Sequence, residues 1–244
     1  MANTRTPTMA STRSVAVDMP VGPETTTFKL TKKHLLGNYD LHQQGHAADG
    51  APRVYHVVAS HFRSMDITLY AGPDRKSSPA VGAGRIATMS RDHKLGYAPA
   101  SSPSPPGGKE DFLWEDMRRE KLTEWGYAFS FTPPPSSSPA VVAGAGGGRR
   151  RDRVALMWKR TTHVTAAGMK ASRLSARNFK LVDRGDEGRV LAVFTAARGW
   201  SSCGTLQINV DWGVGFERVV VVSCVTLYEK VSRETAGDSA DTPG

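Results

Sequence analysis

The stretch FERVVVVSCVTLYEKVSR, Phe216 to Arg233, limits what this chain can fold into more than any other. Drawn out as a strand, its eighteen residues would reach roughly 59 Å, about three times the usual strand length. As a helix they span about 27 Å, the width of a small domain. Six valines and a threonine favour a strand locally, but the spacing favours a helix. Val220, Cys224, Leu227, Tyr228 and Val231 recur at 0, 4, 7, 8 and 11, which is one helical face. Thr226, Glu229, Lys230 and Arg233 form a narrow polar stripe. Val219, Val221, Val222 and Val225 extend the apolar surface round most of what is left. Such a helix must be covered by protein on nearly every side. It is not expected to cross a membrane, because Ser223 and Thr226 interrupt the apolar run well short of ~18–20 residues.

Strands are the elements available to cover it. In DITLYA, Ile67, Leu69 and Ala71 share one face; in GYAFSFT, Tyr127, Phe129 and Phe131 do; in GTLQINV, Leu206, Ile208 and Val210 do. Period-two alternation of this kind marks half-buried strands. Segments 28–32, 39–42, 53–59, 80–88, 154–162, 178–183 and 189–195 are β-rich, and 93–97 and 111–117 are shorter candidates. The count approaches twelve. Turn signals recur between them at Gly72-Pro73, Asp183 to Gly188 and Arg198 to Gly204. Twenty-four glycines and 15 prolines also argue against a helix-dominated chain. The expected fold is mainly β, a barrel or a sandwich, with one hydrophobic C-terminal helix at 216–233.

Two segments break this rhythm. Residues 99–111 and 132–153 are rich in Pro, Ser and Gly and cannot bury enough apolar surface to offset their ordering entropy. They are expected as disordered insertions in one domain, since the stretch between them is too short for a core of its own. Within that stretch, the charge spacing of 113–125 favours a helix. The domain is expected over 25–233, with disordered tails at 1–24 and 234–244. Residues 1–20 lack a secretory apolar core; their Arg, Ser and Thr content fits a mitochondrial presequence loosely and a plain tail better.

A β-rich chain ending in a buried helix resembles the tubby C-terminal-like fold shared by tubby, phospholipid scramblases and LURP-one-related proteins. ITLYAG, MWKRTTH, NFKLVD, LAVF and the terminal helix are similar, in order, to uncharacterised fungal members of that group. The resemblance covers about residues 25–233. It implies a closed antiparallel β-barrel of about twelve strands around the hydrophobic C-terminal helix 216–233, and phosphoinositide or acidic phospholipid as ligand. It transfers no lipid-contacting residue to a position in this chain.

Charge points the same way. The net charge is +9, and residues 151–198 hold eleven basic against four acidic residues, or +7. Surfaces of this sign attract phosphate-bearing partners. Arg149, Arg150, Arg151 and Arg153 follow a glycine run; Lys159, Arg160, Lys170, Arg173, Arg177 and Lys180 lie on and between two candidate strands. If those strands are neighbours, the second set forms a basic face, with Trp158 turned to the core by its parity with Val154 and Leu156. Each set also has a plain reading as solvated charge. The expectation is a non-enzymatic binding or adaptor protein for anionic phospholipid headgroups. It is expected to be a monomer, cytoplasmic, with peripheral membrane or nuclear placement as variants.

Two other functions stay open. A hydrolase-type enzyme would assemble its site from distant residues and show converging His and carboxylate groups in a pocket. A nucleic-acid binder has charge in its favour, but no basic-aromatic interleaving supports stacking on bases. No catalytic residue, metal or cofactor is expected. Gly82 to Gly84 lacks phosphate-loop spacing, Ser201 and Ser202 lack a nucleophile elbow, and His42 and His46 sit in a turn-like segment with no partner ligand. Cys203 and Cys224 lack metal-ligand spacing and are expected as buried free thiols.

Overall fold

The computed structural model describes residues 17–33, 37–45, 52–60, 66–87, 92–99, 112–120, 125–133, 153–170, 175–197 and 201–240. Fourteen strands precede one helix. They are β1 (Val17–Asp18), β2 (Thr26–Lys33), β3 (Asn38–Gln44), β4 (Val54–Ala59), β5 (Ile67–Ala71), β6 (Ala80–Arg85) and β7 (His93–Tyr97). Then follow β8 (Leu113–Arg119), β9 (Gly126–Phe131), β10 (Val154–Arg160), β11 (Val164–Thr165), β12 (Phe179–Asp183), β13 (Val190–Ala196) and β14 (Ser202–Ile208). Helix α1 runs Val214–Ala240.

Twelve strands close into an antiparallel barrel in the order β10-β12-β13-β14-β2-β3-β4-β5-β6-β7-β8-β9, with β9 returning to β10. Its neighbours are mostly consecutive in the chain, as short hairpin connections require. The mainly β class expected from the alternating segments is the one observed, and of barrel and sandwich it is the closed barrel. Of the two readings of this stretch, the strand at 111–117 holds and the helix at 113–125 is overridden: Leu113–Arg119 is strand β8, paired with β7 from His93–Met117 to Tyr97–Leu113, and 121–124 lie outside the described residues. A strand edge offered by β7 outweighs weak helical periodicity there, since only tertiary pairing satisfies the backbone.

Helix α1 threads this barrel. Tyr228 meets Phe194 of β13 at 5.6 Å, Phe216 meets Phe131 of β9 at 5.2 Å, and Ser223 accepts a hydrogen bond from Trp158 of β10 at 2.9 Å. Tyr55 of β4 donates to Glu217 at 2.6 Å, and Tyr39 of β3 donates to Glu229. Strands from all round the wall therefore touch one helix, which explains its apolar circumference. Val219 to Val222, Cys224, Val225 and Leu227 are all buried. Among the described residues no helix is long and apolar enough to cross a membrane.

Two glycines let the parts fit. A Cβ on Gly84 would sit 2.3 Å from Thr226 Oγ1, so β6 approaches the helix only without a side chain. Gly204, at φ +155°, stands where the β14–β2 register shifts, and a Cβ there would meet Thr195 O at 2.4 Å.

The ordered body exceeds the expected 25–233 at both ends. The helix starts two residues before Phe216 and continues to Ala240, into the segment expected as a tail. At the other end β1 pairs parallel with β11, and Gln207 Nε2 donates to Pro20 O at 3.2 Å. Val17–Pro20 is thereby held against β13 and β14, whose outward Thr195 and Gln207 are buried. The insertions 99–111 and 132–153 fall almost wholly outside the described residues.

Antiparallel pairing sorts the connections onto two rims. Phe216 and Arg218, at the helix start, reach Phe131 and Ala98 at the upper rim. Glu229 and Arg233 reach Tyr39 and Asp66 at the lower rim.

Candidate anion-binding face

Strands β10 and β12 are neighbours, and their register sets Lys159 opposite Lys180. Leu156 and Trp158 point inward, as do Phe179 and Leu181, so alternation turns both lysines outward. Trp158 is fully buried, as its parity predicts. Like charges directly opposite repel, and Glu187 relieves one of them by accepting from Lys159 Nζ at 2.6 Å. Lys180 forms no ion pair with any described residue.

Arg160 ends β10 at the lower rim, exposed, with its guanidinium carbon 4.9 Å from the Trp125 ring centroid. Trp125 itself stacks on Phe179 at 4.8 Å and 7°. Partial burial draws the Arg160 pKa down from the ordinary arginine value. Lys159, Arg160, Arg184, Glu120 and Glu187 surround a surface pocket of about 430 Å³, with Trp125, Gly126 and Met157 completing its lining.

A second hollow of about 550 Å³ adjoins it, sharing Glu120 and Arg184, which are paired at 2.8 Å. It follows a parting of the wall. Strands β8 and β9 keep register only at Arg118–Ala128 and Arg119–Tyr127, whereas each stays in full register with its other neighbour. Lys94 and Arg118 flank Asp116 at 3.4 and 3.2 Å, and Arg153 pairs with Glu115. Burial pushes the Glu115 pKa up despite Arg153. The two hollows form one trough. Lys94, Arg118, Arg153, Lys159, Arg160 and Arg184 line it against Glu115, Asp116, Glu120 and Glu187, six bases to four acids.

The predicted residues therefore divide. Arg153, Lys159 and Arg160 line the trough, and Lys180 stands beside it. Arg177 lies elsewhere on the lower rim, 5.4 Å from the Tyr228 ring, and Lys170 is exposed between β11 and β12. Arg149, Arg150, Arg151 and Arg173 lie outside the described residues. Lys94, Arg118, Arg184 and Trp125 join the site without having been foreseen. Arg184 sits in a turn signal, and only closure of the barrel brings it to Glu120, 64 residues away.

Among the residues lining the trough, Ser130 is the one hydroxyl and there is no histidine or cysteine. The arrangement can hold an anion by charge-assisted hydrogen bonds; it offers no nucleophile–base pair. A buried Asp–His pair does occur on the opposite wall, with Asp40 Oδ1 2.7 Å from His56 Nδ1. The second carboxylate oxygen of Asp40 is held by Lys33 at 2.7 Å, so this pair reads as a wall ion-pair cluster. Cys203 and Cys224 are buried free thiols. No protein-family model matches the chain, and no curated protein matches it.

Proposed function

We propose that this protein is a non-enzymatic, tubby-like binding protein that holds anionic phospholipid headgroups in the trough between β8 and β12, acting peripherally at a cytoplasmic membrane face. The observation that carries the reading is the convergence of Lys159, Arg160 and Arg184 round one pocket, with Lys180, which forms no ion pair with any described residue, beside them. Arg160 is pre-ordered on Trp125, which lowers the entropy lost when it binds an anion. The interior supports the same reading: a barrel filled by a helix leaves a ligand its outer wall and its rims. A twelve-stranded barrel with a threaded terminal helix is also what the tubby-like resemblance implies.

The test is co-sedimentation with neutral, phosphatidylserine and phosphoinositide vesicles at low salt and at ~0.15 M. Wild type is expected to bind anionic vesicles selectively at the higher salt. The triple variant Lys159→Glu, Lys180→Glu, Arg184→Glu should bind at least roughly 100-fold more weakly, at about 1 kcal/mol for each basic charge lost. Binding that vanishes by ~0.15 M salt, or that the triple variant leaves unchanged, would reduce the face to diffuse surface charge.

A further inference from the structure

Arg160 also belongs to a second arrangement, inside the lower mouth of the barrel. Four successive strands end there on inward positions: His93 in β7, Arg119 in β8, Tyr127 in β9 and Arg160 in β10. Each shares parity with core residues of its own strand, respectively Leu95, Met117, Phe129 and Trp158. Register makes them neighbours. Arg119 pairs with Tyr127, while His93 pairs with Met117 and Trp158 with Tyr127, one diagonal step away. The His93 ring stacks on Tyr127 at 5.2 Å, and Lys230 of the helix approaches that same tyrosine ring to 5.7 Å.

This layer is poor in partners. His93 is fully buried and neither ring nitrogen has one; Arg119 Nε and Arg233 Nη2 are buried in the same condition. The large majority of buried side-chain polar atoms in proteins are satisfied; of the four described residues with orphaned atoms, all but Arg218 lie at this mouth, and they call for a partner there. The carboxylates nearby are engaged: Glu229 and Asp66 by Arg233, Glu234 by Lys230. Asp92, beside His93, has contacts of its own. Among the described residues no carboxylate forms an ion pair with Arg119 or Arg160; Glu234 attracts Arg160 from a distance while already held by Lys230, and Arg119 repels it.

We infer that the lower mouth is a binding site for one phosphate-monoester group, held by Arg119 and Arg160 with Lys230 at its side and His93 behind it. Three cations converging from two strands and a helix suit three terminal oxygens better than the two of a carboxylate. The inference rests on the reading of the protein as a binder of anionic headgroups and adds to it a preference for a terminal phosphate over a diester. Burial and Lys230 hold the His93 pKa down at about 4. A bound phosphate would raise it, so the imidazole reports occupancy, while affinity should be greatest above about pH 6, where the monoester is a dianion.

The experiment follows the His93 imidazole resonances by NMR in the full chain at ~0.15 M salt, adding inorganic phosphate and then a soluble inositol trisphosphate. Both are expected to shift the resonances saturably and to raise the His93 pKa. Arg119→Gln should weaken binding by roughly 10–100-fold. Arg119→Lys, which keeps the charge but loses the planar fork, should weaken it less, and it serves if the glutamine variant fails to fold. Vesicles separate the sources: monophosphorylated phosphatidylinositol should compete with free phosphate at His93, and phosphatidylserine should not. Absence of a His93 shift up to about 10 mM of either soluble probe overturns the inference, even where vesicles still bind the outer face. Phosphate that shifts His93 in a Lys159→Glu, Lys180→Glu, Arg184→Glu variant unable to bind vesicles would uphold the mouth and sink the outer face alone.

Discussion

Single residues in this barrel are set by how closely the helix approaches the wall. Gly84 is the sharpest case, because its missing Cβ makes room for Thr226 Oγ1, which itself accepts no space and bonds back to Val222 O at 2.7 Å. Gly84→Ala should cost about 1–3 kcal/mol of stability by overpacking. In a Thr226→Ala background the same change should cost less, and urea unfolding of the four-member cycle should give a coupling of about 0.5–3 kcal/mol. Additive costs would mean that the two residues do not meet. Two buried carboxylates behave oppositely for a related reason. Burial pushes Asp40 up, but hydrogen bonds from His56 and Lys33 outweigh it and leave its pKa lowered. Its stabilisation is therefore present above about pH 4 and is lost as pH falls through the folded value. Glu217 is raised, because burial outweighs Tyr55 and Arg53. Its contribution is greatest below about pH 4.3 and declines as pH rises through the folded value. Unfolding measured from pH 3 to 8 should show Asp40→Asn losing ground to wild type as pH rises, and Glu217→Gln gaining it. Parallel curves would refute both assignments.

At the scale of elements, α1 is a valine-rich segment that becomes a helix only because a wall surrounds it. β-branched residues form helices reluctantly, so the barrel supplies what local propensity lacks. Among the polar bonds that tie the two together, Trp158 Nε1 donates to Ser223 Oγ, both fully buried. Ser223→Ala should cost about 1–3 kcal/mol, since the indole N–H would then be buried without an acceptor. In a Trp158→Phe background it should cost far less, and equal costs in chemical denaturation would show that the bond contributes nothing. This dependence of helix on wall also marks the limit of what could be read ahead. Strands such as Ile67–Ala71 and Gly126–Phe131 were legible because burial on one face writes a period of two into the chain. The helix was legible because 0, 4, 7, 8, 11 spacing survives even in a valine run. The β8 strand showed only as a short candidate at 111–117 in competition with a helix, since its exposed Leu113 and charged Glu115, Asp116 and Arg118 follow the trough and not a core. The site was half legible. Lys159 and Lys180 follow from two adjacent strands, whereas Arg184 with Glu120, and Arg119 with His93, meet only through closure of the barrel.

Closure itself poses a problem for the whole molecule. About eight strands make a barrel just wide enough for its own side chains to fill. This one has twelve, so its wall residues alone would leave a channel. Helix α1 fills that space with Val219 to Val222, Cys224, Val225 and Leu227, and without it the inner faces of Leu30, Leu41, Leu69 and Leu206 would line a void. Voids destabilise by tens of calories per cubic ångström, which for a helix-sized gap exceeds the whole stability of an ordinary domain. A chain ending at Gly213 should therefore retain strand content but lose near-ultraviolet dichroism, bind a hydrophobic dye and unfold without a sharp transition. Co-expression of residues 1–213 with a separate segment beginning at Asn209 should restore cooperative unfolding, because what the barrel needs from the helix is volume and contact more than covalent continuity. A truncated chain that unfolds as sharply as the full protein would show instead that the wall is self-supporting. The helix would then be an occupant of the barrel, and the search for a ligand should move from the outer face to the channel it fills.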